Sequence, residues 1–250
     1  MVSEGRVLQL TRSEKTMSKM FPFITKTWNP LGGECPHHCK GCWAEAYIKR
    51  MKIVKYSGEY RLDYKQLNRK FKSTDFVFVC DMLDLFAANV PMEAIQIILK
   101  KIEAQSEVTF LLLTKNPRYM WLMDLPKNVV AGATIETDFD PRCYGFQYSR
   151  APMVQDRIQA MIDLDHPRKF ISIEPVMDFS PGSFIESIEA IHPESVAIGF
   201  DNYNSNLPEP ETLEKVLDFI NELEKKGIKV IRKTIREPIQ FATTEGEKKE

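Results

Sequence analysis

Three cysteines, Cys35, Cys39 and Cys42, stand in the segment GGECPHHCKGCWAEA with the spacing C-x-x-x-C-x-x-C. Thiolates are the usual protein ligands of iron–sulfur clusters, and close spacing lets one short loop reach several irons. Three ligands are one short of the number a four-iron cluster takes. One iron is then left open for a small molecule, and an open iron is where chemistry can happen. Gly32, Gly33 and Gly41 give the segment the permissive backbone needed to wrap a compact cluster. Zinc is the competing reading. Structural zinc takes four ligands, commonly in two separated pairs, and a fourth would have to come from His37, His38, Cys80 or Cys143. His37 and His38 lie between two of the cysteines, a place that points to solvent or to a supporting role behind the ligands. Five cysteines are an odd number, a poor disulfide framework that suits a reducing compartment.

A loop of this kind has to be held by a fold, and the rest of the chain says which kind. The 250 residues fit one large domain or two small ones. A composition 43% apolar and 28% charged is that of an ordinary globular protein. Thirty-four basic against 35 acidic side chains leave a net charge of -1, so no global positive field advertises nucleic acid or an anionic membrane. No apolar run approaches the roughly 18 residues that span a bilayer. Met1 to Met20 lacks the apolar centre of a secretory signal. The expected address is the cytoplasm, with no membrane partner. Residues 1–18 and the charged tail 243–250 read as loose segments around a single domain, 19–242.

Within that domain, apolar strand-like runs alternate with helical ones. Strands are expected at Phe21–Lys26, Phe76–Cys80, Thr109–Leu113, Val129–Ile135, Phe170–Ile173, Val196–Phe200 and Lys229–Ile231. Helices are expected at Cys42–Met51, Met92–Ala104, Arg118–Met123, Pro152–Leu164, Gly182–Ile191 and Pro210–Lys226. Such alternation argues a parallel sheet with helical crossovers. Runs like FVFVC and TFLLL are continuous because parallel strands are buried on both faces. An open doubly wound sheet and a full or partial barrel both satisfy the pattern. In either, ligands gather at the carboxyl ends of the strands. Those ends carry Asn29, Asp81 with Asp84, Lys115 with Asn116, Thr134 with Glu136, Glu174, Asp201 and Lys233.

The cysteine spacing after a first strand resembles the radical S-adenosylmethionine (radical SAM) superfamily. The stretch TWNPLGGECPHHCKGCWAEA, with LLLTKNPRYM and ISIEPV downstream, is similar to a group of phage and prokaryotic radical-SAM-like proteins distantly reminiscent of spore photoproduct lyase. The resemblance covers residues 21–236. It implies a partial (β/α)6-type TIM barrel, a [4Fe-4S] cluster on Cys35, Cys39 and Cys42, and S-adenosylmethionine chelated by the open iron. It further implies a reductant such as ferredoxin or flavodoxin, and a 5′-deoxyadenosyl radical that abstracts hydrogen from a substrate the sequence does not name. A nucleic acid and a peptide are both open.

By position, the resemblance gives Asp81 to the cofactor's amino group and Glu136 to its ribose. From the residues themselves, Glu174, held extended before Pro175 at the end of an apolar strand, and Lys115, a cation on the same rim, are read as contacts to cofactor or substrate. Superfamily members usually carry an aromatic residue before the third cysteine, near the adenine; here it is Gly41. Trp43 takes that role or is the first core residue of its helix. Cys80 reads as a small buried hydrophobe and Cys143 as a loop thiol. No catalytic residue is assigned. The reading from a different class is a non-catalytic iron–sulfur or zinc-binding module on the same fold.

Overall fold

The computed structural model describes residues 21–239. The expected loose segments 1–18 and 243–250 lie outside them. Seven strands form one sheet: β1 (Lys26–Trp28), β4 (Phe76–Val79), β5 (Thr109–Thr114), β6 (Val129–Thr134), β7 (Lys169–Ile173), β8 (Ser195–Ile198) and β9 (Lys229–Arg232). They lie in that order, and every neighbouring pair is parallel. Two short strands, β2 (Leu31–Gly32) and β3 (Arg61–Leu62), make a separate antiparallel pair beside the cysteine segment. The helices are α1 (Trp43–Met51), α2 (Tyr64–Leu67), α3 (Met92–Glu103), α4 (Arg118–Trp121), α5 (Val154–Asp163), α6 (Pro181–Ile191) and α7 (Leu213–Lys225).

Strand order that follows chain order has no switch point, and a doubly wound sheet requires one. Right-handed crossovers without reversal put the helices that join successive strands, α3, α5, α6 and α7 among them, on the same face. The core bears this out. Alternate strand residues Val77, Phe110, Ala131, Ile171 and Val196 pack with helix residues such as Ile98, Ile158, Ile188 and Phe219. The intervening residues Phe78, Leu111, Val130, Phe170 and Ala197 form a second cluster, closed by Phe21 and Phe23. Each fully buried side chain of this size contributes about 1.5–3 kcal/mol. The architecture is thus α/β and singly wound. Within the described residues β1 and β9 do not pair, so the sheet is open and forms no closed barrel.

The first strand differs from expectation. Of Phe21–Lys26 only Lys26 is strand, and the paired segment runs on to Trp28. Phe21 and Phe23 instead stack on each other and meet Phe170 edge-on. Their apolar area is worth more as a plug on the sheet's inner face than as a longer edge strand. Trp28 anchors the true strand, fully buried with its indole N–H donating to Gln66 O at 2.9 Å.

Candidate metal centre

The cysteine loop runs from the end of β1 to α1 and is tied at both ends. Cys42 caps α1: its sulfur accepts from Glu45 N at 3.5 Å, while its own N–H donates to Cys39 O at 3.1 Å. Gly41 sits at φ +73°, and a Cβ there would lie 2.0 Å from Ser205 Oγ. The loop is therefore pressed against the segment after β8, and Ser205 Oγ is buried with no hydrogen-bond partner among the described residues. All three cysteines are free and half-buried. Burial pushes the Cys35 thiol up to about 12, and the Asp84 carboxylate adds to the shift. Burial also raises Cys42, against the Glu45 N–H.

Behind the loop stands Asp84. Its carboxylate takes the Thr114 hydroxyl at 2.7 Å, Phe86 N at 2.9 Å, Lys115 N at 2.8 Å and His37 Nε2 at 2.9 Å. Burial alone would raise its pKa, but His37, Thr114 and the Lys115 N–H outweigh that and hold it below the usual range. One residue so joins β4, β5 and the cysteine loop. His37 is buried and His38 exposed, so one histidine of the pair supports the loop and the other meets solvent.

The rim residues fall into two kinds. Glu136 is buried with both oxygens engaged, one by Lys115 Nζ and the other by Arg157 at 2.7 Å. Arg157 is wholly buried and also reaches Thr134 O and the Tyr148 hydroxyl at 2.7 and 2.8 Å. Burial lowers the Lys115 ammonium pKa, chiefly against the pull of Cys39. Glu174 pairs with Lys233 at 3.0 Å. Asp81 differs. It is desolvated enough for burial to raise its pKa, and its hydrogen-bond partner is the neutral Asn29 side chain at 2.5 Å. Trp43 is partly exposed on the first turn of α1, Cys80 is buried and Cys143 exposed.

A model of a family described as a protein of unknown function (DUF5131) matches residues 18–191, which span β1 to α6. The chain belongs to the DUF5131 family. A search of curated proteins finds no match. Among solved structures, a spore photoproduct lyase mutant with S-adenosylmethionine and a dinucleoside spore photoproduct bound is similar at TM-score 0.54 and 10% identity, over 82% of this chain and 75% of that one. SuiB of Streptococcus suis, bound to its precursor peptide SuiA, is similar at TM-score 0.50 and 7% identity, over 84% of this chain and 49% of that one. Both are radical SAM enzymes, and the DUF5131 chain has a radical-SAM-like fold.

The donor set of the DUF5131 loop fits an iron–sulfur cluster: three sulfurs on one segment, a glycine where a side chain has no room, and a buried acid fixing the loop from behind. Among the described residues no three His, Cys, Asp or Glu side chains converge on one point, as ligands of a single ion would. A cluster with one thiolate to each iron makes no such demand. Sequence reasoning did not single out Arg157, Tyr148 or Ser149. For Arg157 a signal existed, because it lies on the apolar stripe of α5 with Val154, Ile158 and Met161. Tyr148 and Ser149 sit in an irregular loop whose approach to the cysteines is purely tertiary.

Proposed function

We propose that this chain is a radical SAM enzyme that holds a [4Fe-4S] cluster through Cys35, Cys39 and Cys42 and binds S-adenosylmethionine beside it. The observation that carries the reading is the C-x-x-x-C-x-x-C loop at the carboxyl ends of a parallel sheet of radical-SAM-like fold. When bound, the cluster and S-adenosylmethionine supply a one-electron cleavage to methionine and a 5′-deoxyadenosyl radical, with ferredoxin or flavodoxin as electron source.

The chain's own residues bind and orient. Asp81 is already desolvated and has a neutral partner. An incoming ammonium gains a charge-assisted contact there, worth about 1.5–3 kcal/mol. We assign Lys115, fixed by Glu136, to the cofactor's carboxylate, so that Glu136 acts through it. The Glu174–Lys233 pair offers both signs of charge to ribose hydroxyls or substrate. Trp43, next to Cys42, is the aromatic residue we assign to the adenine side.

For the substrate, the solved neighbours suggest a nucleic acid or a peptide, since one holds a dinucleoside and another a precursor peptide. The net charge of -1 gives no independent pull toward nucleic acid.

Anaerobic reconstitution followed by reduction and addition of S-adenosylmethionine tests the reading. The expected outcome is about four irons and four sulfides per chain, and slow formation of 5′-deoxyadenosine and methionine without substrate. Loaded, reduced protein that binds the cofactor and yields neither product overturns it, in favour of a non-catalytic binding module.

A further inference from the structure

The loop from β6 to α5, residues 135–153, forms the other half of the cysteine loop's setting. Lys40 N donates to Tyr148 O at 2.7 Å, and Arg150 N donates to His37 O at 2.7 Å. These two bonds bracket Cys39. Between them the buried Ser149 hydroxyl lies 3.2 Å from Cys39 Sγ.

The surrounding bonds hold Ser149 in place. Arg142 donates to the carbonyls of Ser149 and Ala151 at 3.2 and 2.7 Å. Asp140, fully buried, grips Arg142 and accepts from Val154 N at 3.0 Å, at the start of α5. Arg157 fixes the Tyr148 hydroxyl. Ala151 N donates to Ser149 Oγ at 3.0 Å, which directs the hydroxyl's own proton elsewhere. Two acceptors are in reach, Cys39 Sγ at 3.2 Å and His37 O at 3.5 Å. Once Cys39 is a ligating thiolate, its sulfur is the nearer acceptor and the charged one.

We propose that Ser149 is a positioning residue that donates a hydrogen bond to the Cys39 sulfur and raises the reduction potential of the iron–sulfur centre, with the 135–153 loop as its rigid carrier. The proposal rests on the cluster reading given above. A donor to a ligating sulfur stabilises the reduced state more than the oxidised one, because reduction adds negative charge to the centre; such bonds and solvent exposure are recognised controls of cluster potential. A loop bonded on both sides of Cys39 also keeps water from that ligand, which by itself lowers the potential, so the hydroxyl's contribution is read with the loop kept in place.

Potentiometric titration of anaerobically reconstituted protein, followed by electron paramagnetic resonance, reads the effect directly and needs no substrate. Ser149→Ala is expected to keep the wild-type iron content while its midpoint moves to more negative potential. Ser149→Thr, which keeps the hydroxyl, is expected to stay near wild type. Ser149→Val, which has the bulk of threonine and no hydroxyl, is expected to move the midpoint in the same direction as Ser149→Ala. If Ser149→Ala does not fold, as judged by circular dichroism, the comparison of Ser149→Val with Ser149→Thr decides. An unmoved or more positive midpoint in a fully loaded variant that lacks the hydroxyl, Ser149→Ala or Ser149→Val, overturns the proposal and leaves the cluster reading intact. A folded Ser149→Ala variant that takes up no cluster also overturns it, since the residue would then build the site rather than tune it. Wild-type protein that takes up no cluster overturns both readings.

Discussion

At the scale of single residues, the rim acids separate by what already neutralises them. Glu136 is shared between Lys115 and Arg157, so removing its charge leaves two cations in a buried place. Glu136→Gln is therefore expected to destabilise the fold by about 3–5 kcal/mol, visible as a fall in melting temperature whether or not cofactor is present. Asp81 has only a neutral side-chain partner to lose. Asp81→Asn is expected to leave the melting temperature close to wild type and to weaken S-adenosylmethionine binding by roughly tenfold or more, for a lost contact of about 1.5–3 kcal/mol. Burial raises the Asp81 pKa, and only the ionised carboxylate attracts an ammonium. Wild-type affinity should thus fall as pH drops toward that raised value, and the Asp81→Asn variant should lose this dependence. Calorimetric titration at several pH values measures both. Equal affinity in the variant would remove Asp81 from the cofactor site.

At the scale of elements, the cysteine loop depends on segments far away in sequence. Gly41 has φ +73°, and an added Cβ would meet Ser205 Oγ at 2.0 Å and Ser205 Cβ at 2.5 Å. Ser205 is not free to yield, because its N–H is held by Asp201 at 2.5 Å. A left-handed conformation costs a non-glycine residue about 1–2 kcal/mol before any clash. Gly41→Ala is expected to lower the melting temperature by several degrees, at about 2–4 °C per kcal/mol for a chain of this size, and to reduce iron uptake on reconstitution. Wild-type values of both would show that the loop does not need this approach. The sequence made the glycine legible as a loop residue, but its neighbour is 164 positions away and left no local trace. The same division runs through the fold. Strands such as FVFV and TFLLLT declared themselves by continuous apolar character. The first strand did not, because Phe21 and Phe23 have equal apolar character and a different task. The cysteines were legible from spacing alone, whereas the Asp84–His37 pair joins residues 47 apart in the chain.

At the scale of the whole molecule, the centre lies where separate parts of the fold meet. The cysteine loop bonds to Asp84 after β4, to the β6–α5 loop through Tyr148 and Arg150, and to the segment after β8 through Lys40 and Asn206 O at 3.1 Å. A group that binds the folded loop and has no matching site in the unfolded chain stabilises the entire domain by mass action. Cluster uptake is thus expected to raise the melting temperature of the whole chain. Treatment with a chelator under oxidising conditions should return it to the apo value. Alanine at Cys35, Cys39 or Cys42 should abolish the rise, whereas alanine at Cys143, which is exposed, should preserve it. Uptake should also release protons, because burial holds the Cys35 thiol up to about 12 and raises Cys42, and each must be a thiolate to bind metal. Loading is therefore favoured as pH rises, and reconstitution across a pH series should show uptake improving toward the alkaline side. Differential scanning calorimetry of apo and loaded protein reads the stability shift. A loaded protein that melts at the apo temperature would mean that the centre is held by a locally unfolding loop, and that the contacts joining β4, β6 and β8 to the cysteines do not couple it to the domain.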